Sequence, residues 1–285
     1  MSAALAADTP PRAAAPAAFA RLLKSPRALV MGVLNVTPDS FSDGGRFLEP
    51  GRAIEQARRM TAEGADILDI GAESTRPYDG MQPIGADEEC ARLAAILPAV
   101  VGLGPPVSID TMKAAVASWA IGQGAAMVND VWGLQRDPDM AGLVARHRVP
   151  VVIMHNRDMA DASIDIMADI GAFLRRSLAI AERAGIAREL IVIDPGIGFG
   201  KTPEQSIEVL GKLAMLREFG LPILVGASRK RFIASVVPSE PAQRIGGSLA
   251  SHLLAVQAGA KIIRAHDVAE TVQALRVAGA IEAAR

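Results

Sequence analysis

Polar and charged side chains close a series of apolar runs along this chain. They are Asn35, Asp110, Asn129, Asp130, His155, Asp194, Arg264 and His266; one further run carries Asp69 within it, and another continues into Ser228, Arg229 and Lys230. Carboxylate and amide groups, such as those of Asp110, Asn129 and Asp194, can bond the amino and ring N–H groups of a flat heterocycle. Cationic groups, such as those of Arg264 and His266, suit phosphate oxygens. These residue types predict a phosphorylated heterocycle as the ligand.

The apolar runs predict the elements that must position these side chains. They span residues 28–35, 65–71, 106–110, 125–130, 149–155, 190–194, 221–228 and 260–266. Each run is continuous and rich in β-branched residues, which is typical of strands buried on both faces of a parallel sheet. Amphipathic segments at helical spacing lie between the runs. Several of these segments end at glycine, as helices often do, at Gly64, Gly124, Gly185, Gly220 and Gly259.

Eight strands that alternate with helices in a chain of 285 residues predict an α/β fold, a (β/α)8 TIM barrel. The main alternative is a doubly wound open sheet, which usually has fewer strands in this length and carries G-x-G-x-x-G after its first strand. That motif is absent from the sequence. Residues 1–26 are rich in Ala and Pro and are expected to be a flexible extension, so the single catalytic domain spans 27–285. A targeting peptide is a weaker alternative for the extension.

In such a barrel the chemistry lies at the carboxyl ends of the strands. A single Asp at a strand end is often only a helix cap, and Asp87 and Asp267 are interpreted as caps. The whole set is harder to explain by capping, because the opposite strand ends carry no polar groups of this kind. Those opposite ends are Pro106, Ala125, Pro150, Leu221 and Ala260. The sequence therefore predicts a polar ligand over one rim of the barrel.

The composition excludes several classes of protein. The formal net charge is -1, so no basic excess indicates nucleic-acid binding. Cys90 is the one cysteine, which excludes a disulfide framework or a cysteine-based metal cluster and favours the reducing cytoplasm. No uninterrupted apolar stretch approaches the ~20 residues that span a bilayer.

Three familiar catalytic motifs are absent or incomplete. The segment GIGFGKT at residues 196–202 resembles a P-loop, but a P-loop has four residues between its two glycines, and only three lie between Gly196 and Gly200. Residue 195, where the first glycine would have to be, is Pro. The glycines of this segment are interpreted as allowing a tight turn or a close backbone approach. His155 and Cys90 are interpreted as structural, since no zinc-ligand spacing accompanies them. No G-x-S-x-G elbow is present to support a serine nucleophile.

Taken together, the motifs resemble those of the dihydropteroate synthase family, the pterin-binding enzymes that sulfonamides inhibit. The matching segments are GVLNVTPDSFSDGG, DIGAESTRP, SIDT, NDV, MH, DPGIGFGK, GASRK and IIRAHDV, in the family's order and spacing over about residues 28–282. The resemblance implies condensation of 6-hydroxymethyl-7,8-dihydropterin pyrophosphate with 4-aminobenzoate, giving 7,8-dihydropteroate and pyrophosphate. It further implies a Mg²⁺ cofactor, small-molecule substrates without nucleic acid or membrane partners, and a homodimer.

The resemblance also assigns roles to individual residues. The pterin would be held by Asp110, Asn129, Met154, Asp194, Phe199 and Lys230. The pyrophosphate would be held by Asn35, Thr75, Arg76, Arg264 and His266, with Asn35 as the protein ligand of Mg²⁺. The aminobenzoate would be bordered by Phe41, Thr75, Pro77 and Lys230. Catalysis would depend on Lys230, Asp110, Asp194, Arg264 and His266.

Three positions depart from the family pattern, and, separately from them, two alternative functions stay open. Ala72 replaces a usual glycine, Asn156 replaces a methionine, and Arg231 stands where some members carry serine. None of these changes removes a charged group. One alternative is a methyltransferase that moves a methyl group from methyltetrahydrofolate to a corrinoid protein, and it would not need ESTRP, SRK or RAHD. The other is a catalytically silent pterin-binding paralogue.

Overall fold

A computed structural model describes residues 14–36, 50–73 and 84–285. Its strands are Leu29–Asn35 (β1), Ile67–Gly71 (β2), Val107–Asp110 (β3), Met127–Asp130 (β4), Val151–Met154 (β5), Ile191–Asp194 (β6), Ile223–Val225 (β7) and Ala260–Ala265 (β8). Each strand lies parallel to its neighbours in chain order, and β8 pairs with β1 to close the barrel. The predicted (β/α)8 barrel is confirmed.

Helices surround the barrel and alternate with its strands. They are Ala14–Leu23 (α1), Pro50–Ala62 (α2), Ala86–Ala94 (α3), Leu97–Val101 (α4), Ala114–Gly122 (α5), Met140–His147 (α6), Ile166–Ala184 (α7), Pro203–Gly211 (α8), Arg231–Val236 (α9), Ile245–Gln257 (α10) and Val268–Ala283 (α11). The part of the chain that the structure describes also contains three short 3₁₀ helices, at Arg188–Leu190, Leu213–Phe219 and Pro241–Gln243. Within the described ranges, no helix has both the length and the apolarity that crossing a membrane requires.

The strands are apolar on both sides because both sides are covered. One set of alternate strand residues packs together inside the barrel, including Met31, Ile67, Met127, Val192 and Ile262. The other set packs against the helices in two larger clusters. This double burial explains why the sequence shows continuous runs instead of alternation.

The register of the sheet brings the polar strand ends to one level. Gly71 at the end of β2 lies opposite both Asn35 and Asp110. Asp110 lies opposite Asn129, and Met154 lies opposite Asp194. The carboxyl rim therefore gathers these residues from six strands, although they are far apart in the chain.

Helix α1 differs from the flexible extension that the sequence predicts for residues 1–26. It packs against the interior cluster of the barrel through Phe19, which is buried, with Leu22 and Leu23 partly buried beside it. The physical reason is that the barrel interior ends in apolar residues such as Leu29, and an apolar helix removes them from water. The domain boundary after residue 26 stays a prediction.

The helix ends predicted from glycine are confirmed, whereas the prediction that Asp87 and Asp267 cap helices is wrong. All five glycines named above have positive φ, and Gly185 ends α7 by donating to Ala181 O and Glu182 O. Asp267 precedes α11 but makes no side-chain cap, because Arg229 binds its carboxylate in a stronger charge-assisted pair. Asp87 lies in the first turn of α3, whose cap position is Gly85.

Candidate active site

Three buried polar residues form the floor of the candidate site. Asp110 and Asp194 end β3 and β6, and Asn129 is the penultimate residue of β4. Less than a tenth of each residue is exposed. They are held at this depth because the residues before them in each strand belong to the buried sheet. Buried polar groups require partners, so the bonds of these three residues define what the site can accept.

Arg264 on β8 joins two acidic residues of the rim. Its Nε donates to Asp69 Oδ2 at 2.6 Å, and its Nη2 donates to Asp110 Oδ2 at 2.7 Å. Burial lowers the pKa of Arg264, but the charges of Asp69 and Asp110 outweigh that effect and raise it. Asn129 Nδ2 also donates to Asp69 Oδ2, at 3.0 Å. The guanidinium is thus fixed, fully charged, beside the floor.

Several acceptor atoms of this cluster have no hydrogen-bond partner among the described residues. They are Asp110 Oδ1, Asn129 Oδ1 and Asp69 Oδ1, and the hydroxyl of Ser108 is in the same state. A buried acceptor without a partner costs about 1–3 kcal/mol. Asp110 Oδ1 and Asn129 Oδ1 belong to neighbouring strand ends and are both acceptors. The floor therefore suits a ligand that presents adjacent N–H donors.

The two carboxyl groups of the floor have raised pKa values. Burial raises the pKa of Asp110 to about 7, with Arg264 opposing the shift and Asp69 reinforcing it. Burial also raises the pKa of Asp194 to about 6, although the Gly196 N–H bond and the charge of Lys230 act in the other direction. Perturbed carboxylates that lie together at a barrel rim are typical of functional sites.

Lys230 lies between the floor and an aromatic ring. It directly precedes α9, and its Nζ lies 4.0 Å from the centroid of the Phe199 ring. Its charge lowers the pKa of both Asp110 and Asp194, which places it close to the two carboxylates. A cation held against a ring face and near two acids can contact the edge of a flat ligand.

Buried contacts determine the shape of the loop after β6, whose sequence resembles a P-loop. Lys201 is buried and donates from Nζ to His155 Nδ1 at 2.7 Å, to Gly196 O at 2.8 Å and to Phe199 O at 3.0 Å. Gly196 has a φ of 66° and its α-carbon faces His155 O so closely that a Cβ would lie 2.0 Å away. The interpretation of these glycines as sites of close approach is confirmed.

His155 is structural, as the sequence predicts. Burial, reinforced by the charge of Lys201, lowers the pKa of His155 to about 3, so its ring is neutral. Nδ1 accepts from Lys201, which leaves Nε2–H to donate to Asp169 Oδ2 at 3.0 Å. Asp130, another strand-end acid, accepts from the N–H groups of Trp132 and Leu134 and shapes its own loop.

His266 and Ser228 bring β8 and the loop after β7 together. The Ser228 hydroxyl lies 3.1 Å from His266 Nδ1 and 3.2 Å from the His266 N–H group. The adjacent Arg229 has a φ of 57°, and Ser248 Oγ accepts from its N–H group. The loop that carries Lys230 is therefore tied to β8, α10 and α11.

The chain matches a family model described as pterin binding enzyme over residues 31–266. A dihydropteroate synthase of Bacillus subtilis is 42% identical over 256 residues, which cover 90% of this chain and 89% of that protein. The chain belongs to the dihydropteroate synthase family.

Solved structures of this family share the fold over most of the chain. A Xanthomonas albilineans dihydropteroate synthase with 4-aminobenzoic acid is 44% identical, covers 90% of this chain and 94% of its own, and has a TM-score of 0.86. The enzyme of the same organism in complex with 7,8-dihydropteroate is 43% identical, covers 90% and 95%, and has a TM-score of 0.83.

The structure brings together most of the residues that the resemblance to dihydropteroate synthases implicates. Those within the described ranges are Asn35, Asp110, Asn129, Met154, Asp194, Phe199, Lys230, Arg264 and His266, and all lie at the carboxyl ends of strands or in the following loops. Phe41, Thr75, Arg76 and Pro77 lie outside the described residues, so their roles stay predictions.

Three residues to which the family resemblance assigned no role, Asp69, Lys201 and Lys113, support the site from beneath or beside it. Asp69 bonds Arg264 and Asn129, and Lys201 holds the loop of Phe199. Lys113 Nζ pairs with Glu73 and with buried Glu89, each at 2.7 Å. The position of Asp69 in the middle of an apolar run could have indicated its role from the sequence. Nothing near Lys201 or Lys113 in the chain indicates which residues they bind.

Two of the departures from the family pattern, Asn156 and Ala72, make contacts outside the floor of the site. Asn156 Oδ1 accepts from Arg157 N at 2.8 Å and lines a separate cavity of about 820 Å³, whose walls include Trp132, Arg136 and Met159. Ala72 is buried, and its carbonyl accepts from Arg92 Nη1. None of the floor residues lines that cavity.

Proposed function

We propose that this chain condenses 6-hydroxymethyl-7,8-dihydropterin pyrophosphate with 4-aminobenzoate to form 7,8-dihydropteroate and pyrophosphate. The observation that carries the proposal is the pair of unsatisfied buried acceptors, Asp110 Oδ1 and Asn129 Oδ1, beside the fixed cation of Arg264. A pterin edge offers adjacent amino and ring N–H groups to such acceptors. The related enzymes of known structure bind 4-aminobenzoic acid and 7,8-dihydropteroate.

The described residues support a stepwise condensation. Asp110, Asn129 and Asp194 orient the pterin, and Lys230 packs at its edge with Phe199. Arg264 and His266 stabilise the negative charge that develops on the pyrophosphate as the bond between the methylene carbon and the pyrophosphate oxygen breaks. The pterin ring delocalises the positive charge left on that carbon, and the Asp110 and Asp194 carboxylates stabilise it. The amine of 4-aminobenzoate then forms the C–N bond and loses a proton to water.

Mg²⁺ fits the donor set as an ion shared with the substrate. The described residues contain no group of three or more His, Cys, Asp or Glu side chains that could hold a metal. Mg²⁺ commonly uses only one or two protein oxygens, together with phosphate oxygens and water. Asn35, at the end of β1, offers one such amide oxygen and would hold the ion, which would supply charge neutralisation to the leaving pyrophosphate.

Removal of Mg²⁺ by excess EDTA is expected to lower pyrophosphate formation about 100-fold or more, because an ion on a leaving phosphate contributes several kcal/mol. Binding of 6-hydroxymethylpterin, which has no phosphate, is the matched control and should not change. Both are measured on the same preparation, by a pyrophosphate assay and by calorimetry. An undiminished rate in EDTA would remove Mg²⁺ from the proposal.

The pH dependence of kcat/KM for the dihydropterin pyrophosphate should show an acidic limb. Asp110 and Asp194 accept N–H bonds more strongly when they are ionised, and their pKa values are raised to about 7 and about 6. As pH falls through this window, protonation removes the negative charge and adds an O–H donor to each group, and kcat/KM should drop by up to about tenfold per pH unit. Asp110→Asn should lower the overall value and flatten the upper part of the limb. A profile that is level from pH 8 to pH 5 would contradict this role.

The direct test of the function is pyrophosphate release from the purified chain with Mg²⁺ and both substrates. Release should require 4-aminobenzoate and should collapse in Lys230→Ala. Pterin binding without release would favour the silent paralogue. Methyl transfer from methyltetrahydrofolate to a corrinoid acceptor would favour the methyltransferase.

A homodimer and a cytoplasmic location stay predictions. We propose that two copies meet through the outer helices, since Ile207 on α8, Met215 in the following 3₁₀ helix and Leu254 on α10 are large apolar side chains exposed at the surface.

A further inference from the structure

Asp69 occupies an unusual position for a carboxylate. It lies in the middle of β2, between the apolar residues Leu68 and Ile70, and is completely buried. Burial of an ionised carboxylate is costly unless charged or hydrogen-bonding partners compensate it. Its partners therefore indicate why an acid, and not another aliphatic residue, stands at this point of the strand.

A single oxygen of Asp69 receives donors from two other strands. Oδ2 accepts from Arg264 Nε on β8 at 2.6 Å and from Asn129 Nδ2 on β4 at 3.0 Å. The residues are 195 and 60 positions away in the chain, and both belong to the proposed substrate site. Asp69 thus links a pterin-floor residue to the cation beside it.

The bond to Asn129 sets the polarity of that amide. With Nδ2 turned toward the Asp69 carboxylate, Oδ1 is the atom left to meet a ligand, and Oδ1 has no partner among the described residues. The reversed amide would place a carbonyl oxygen against a carboxylate oxygen, which is repulsive. Asp69 therefore makes Asn129 an acceptor at the floor, as a ligand edge rich in N–H groups requires.

The bond to Arg264 sets the orientation of the guanidinium. Nε is engaged by Asp69 and Nη2 by Asp110, so the planar group is held at two points. A guanidinium fixed in this way presents Nη1 in a defined direction and loses little further entropy on binding an anion. One carboxylate thereby prepares both the pterin and the pyrophosphate parts of the site.

We propose that Asp69 is a positioning residue that fixes Asn129 as an acceptor and orients Arg264 for the pyrophosphate-bearing substrate. The inference rests on the proposed function for the identity of that substrate. Asp69 itself acts through its two neighbours and is given no contact with the reacting atoms.

Asp69→Asn keeps the size of the side chain and removes its charge. The expected result is a decrease of about 10- to 100-fold in kcat/KM for the dihydropterin pyrophosphate, as loss of charge-assisted bonds implies. The KM for 4-aminobenzoate should stay within about twofold of wild type, and 6-hydroxymethylpterin should bind more weakly by calorimetry. A change confined to one substrate distinguishes positioning from a general loss of structure.

Asp66→Asn is the matched control. Asp66 lies just before β2, at the opposite end of the barrel, and pairs with Arg27 at 2.7 Å. Its substitution also removes an ion-paired carboxylate, and the kinetic constants should stay at wild-type values. Wild-type values in Asp69→Asn, or an equal loss toward both substrates, would overturn the proposal.

Two further measurements keep the test decisive. In a double-mutant cycle for 6-hydroxymethylpterin binding, Asp69→Asn should add little to Asn129→Ala if it acts largely through that residue, and full additivity would overturn this part of the proposal. If Asp69→Asn does not fold, Asp69→Ser replaces it, and failure of both would assign Asp69 to the fold instead. Inactive wild-type protein would refute the proposed function, whereas pterin binding would still report on Asp69.

Discussion

Arg264→Ala is expected to lower the free energy of unfolding by about 3–5 kcal/mol and to reduce kcat/KM about 1000-fold. The stability loss follows because the substitution leaves the buried carboxylates of Asp69 and Asp110 without the cation that bonds both. The loss of activity follows because the proposed pyrophosphate contact disappears and Asp110 is harder to ionise. Chemical denaturation and steady-state kinetics measure the two effects.

Two variants control the Arg264→Ala experiment. Arg27→Ala breaks an arginine–aspartate pair that is partly exposed at the other end of the barrel, where such pairs contribute about 0–1 kcal/mol. It should leave catalysis unchanged. Arg264→Lys keeps the charge but lacks the planar fork that reaches two carboxylates, so it should recover stability only in part. An Arg264→Ala protein as stable and active as wild type would refute the described network.

Gly196→Ala should destabilise the chain by more than about 3 kcal/mol, a size that single substitutions reach only by a definite mechanism. A Cβ at this position would lie 2.0 Å from the His155 carbonyl oxygen, and the φ of 66° is itself unfavourable for alanine. The loop must move, which disturbs the carbonyl that Lys201 binds and the neighbouring Phe199. Activity per folded molecule should therefore fall as well.

Gly211→Ala is the matched control for Gly196→Ala. Gly211 ends α8, its φ is not positive, and a Cβ there meets no atom within 4 Å. The change should be neutral or stabilising by a few tenths to about 1 kcal/mol. Thermal and denaturant unfolding of both variants separates a specific clash from a general effect of adding a methyl group. Equal stability of the two variants would contradict the described loop geometry.

The barrel could be predicted from the sequence because its signals are local. Each strand is a continuous apolar run, and each observed strand lies within the range predicted for it. The polar residue at the end of a run then falls on the carboxyl rim by the geometry of the fold. For this reason Asp110, Asn129 and Asp194 could be assigned to one site before their contacts were known.

The contacts themselves could not be predicted, because they join residues that are distant in the chain. Nothing near Arg264 reveals that Asp69 and Asp110 bind it, and nothing near Lys201 reveals His155. Asp267 has the residue type and position of a cap, but tertiary pairing with Arg229 takes precedence over that local preference. Helix α1 was not predicted because prolines surround its sequence and because its stability comes from packing against the barrel, which a local pattern does not reveal.

The structure also refines the role that the resemblance implies for Arg264. Two of its nitrogens are committed to carboxylates of the site, so it is part of the pterin floor as well as a candidate pyrophosphate ligand. A buried network whose charged groups already bond one another, and whose remaining acceptor atoms face the ligand position, is suited to bind a polar ligand without reorganisation.

Product analysis by mass spectrometry is the most direct test of the proposed condensation. Purified chain is incubated with Mg²⁺, 6-hydroxymethyl-7,8-dihydropterin pyrophosphate and 4-aminobenzoate, and 7,8-dihydropteroate and pyrophosphate are quantified together. The two products should appear in equal amounts, only when both substrates are present, and should be nearly absent with Arg264→Ala. A folded wild-type chain that binds the pterin but forms no 7,8-dihydropteroate would contradict the proposed condensation.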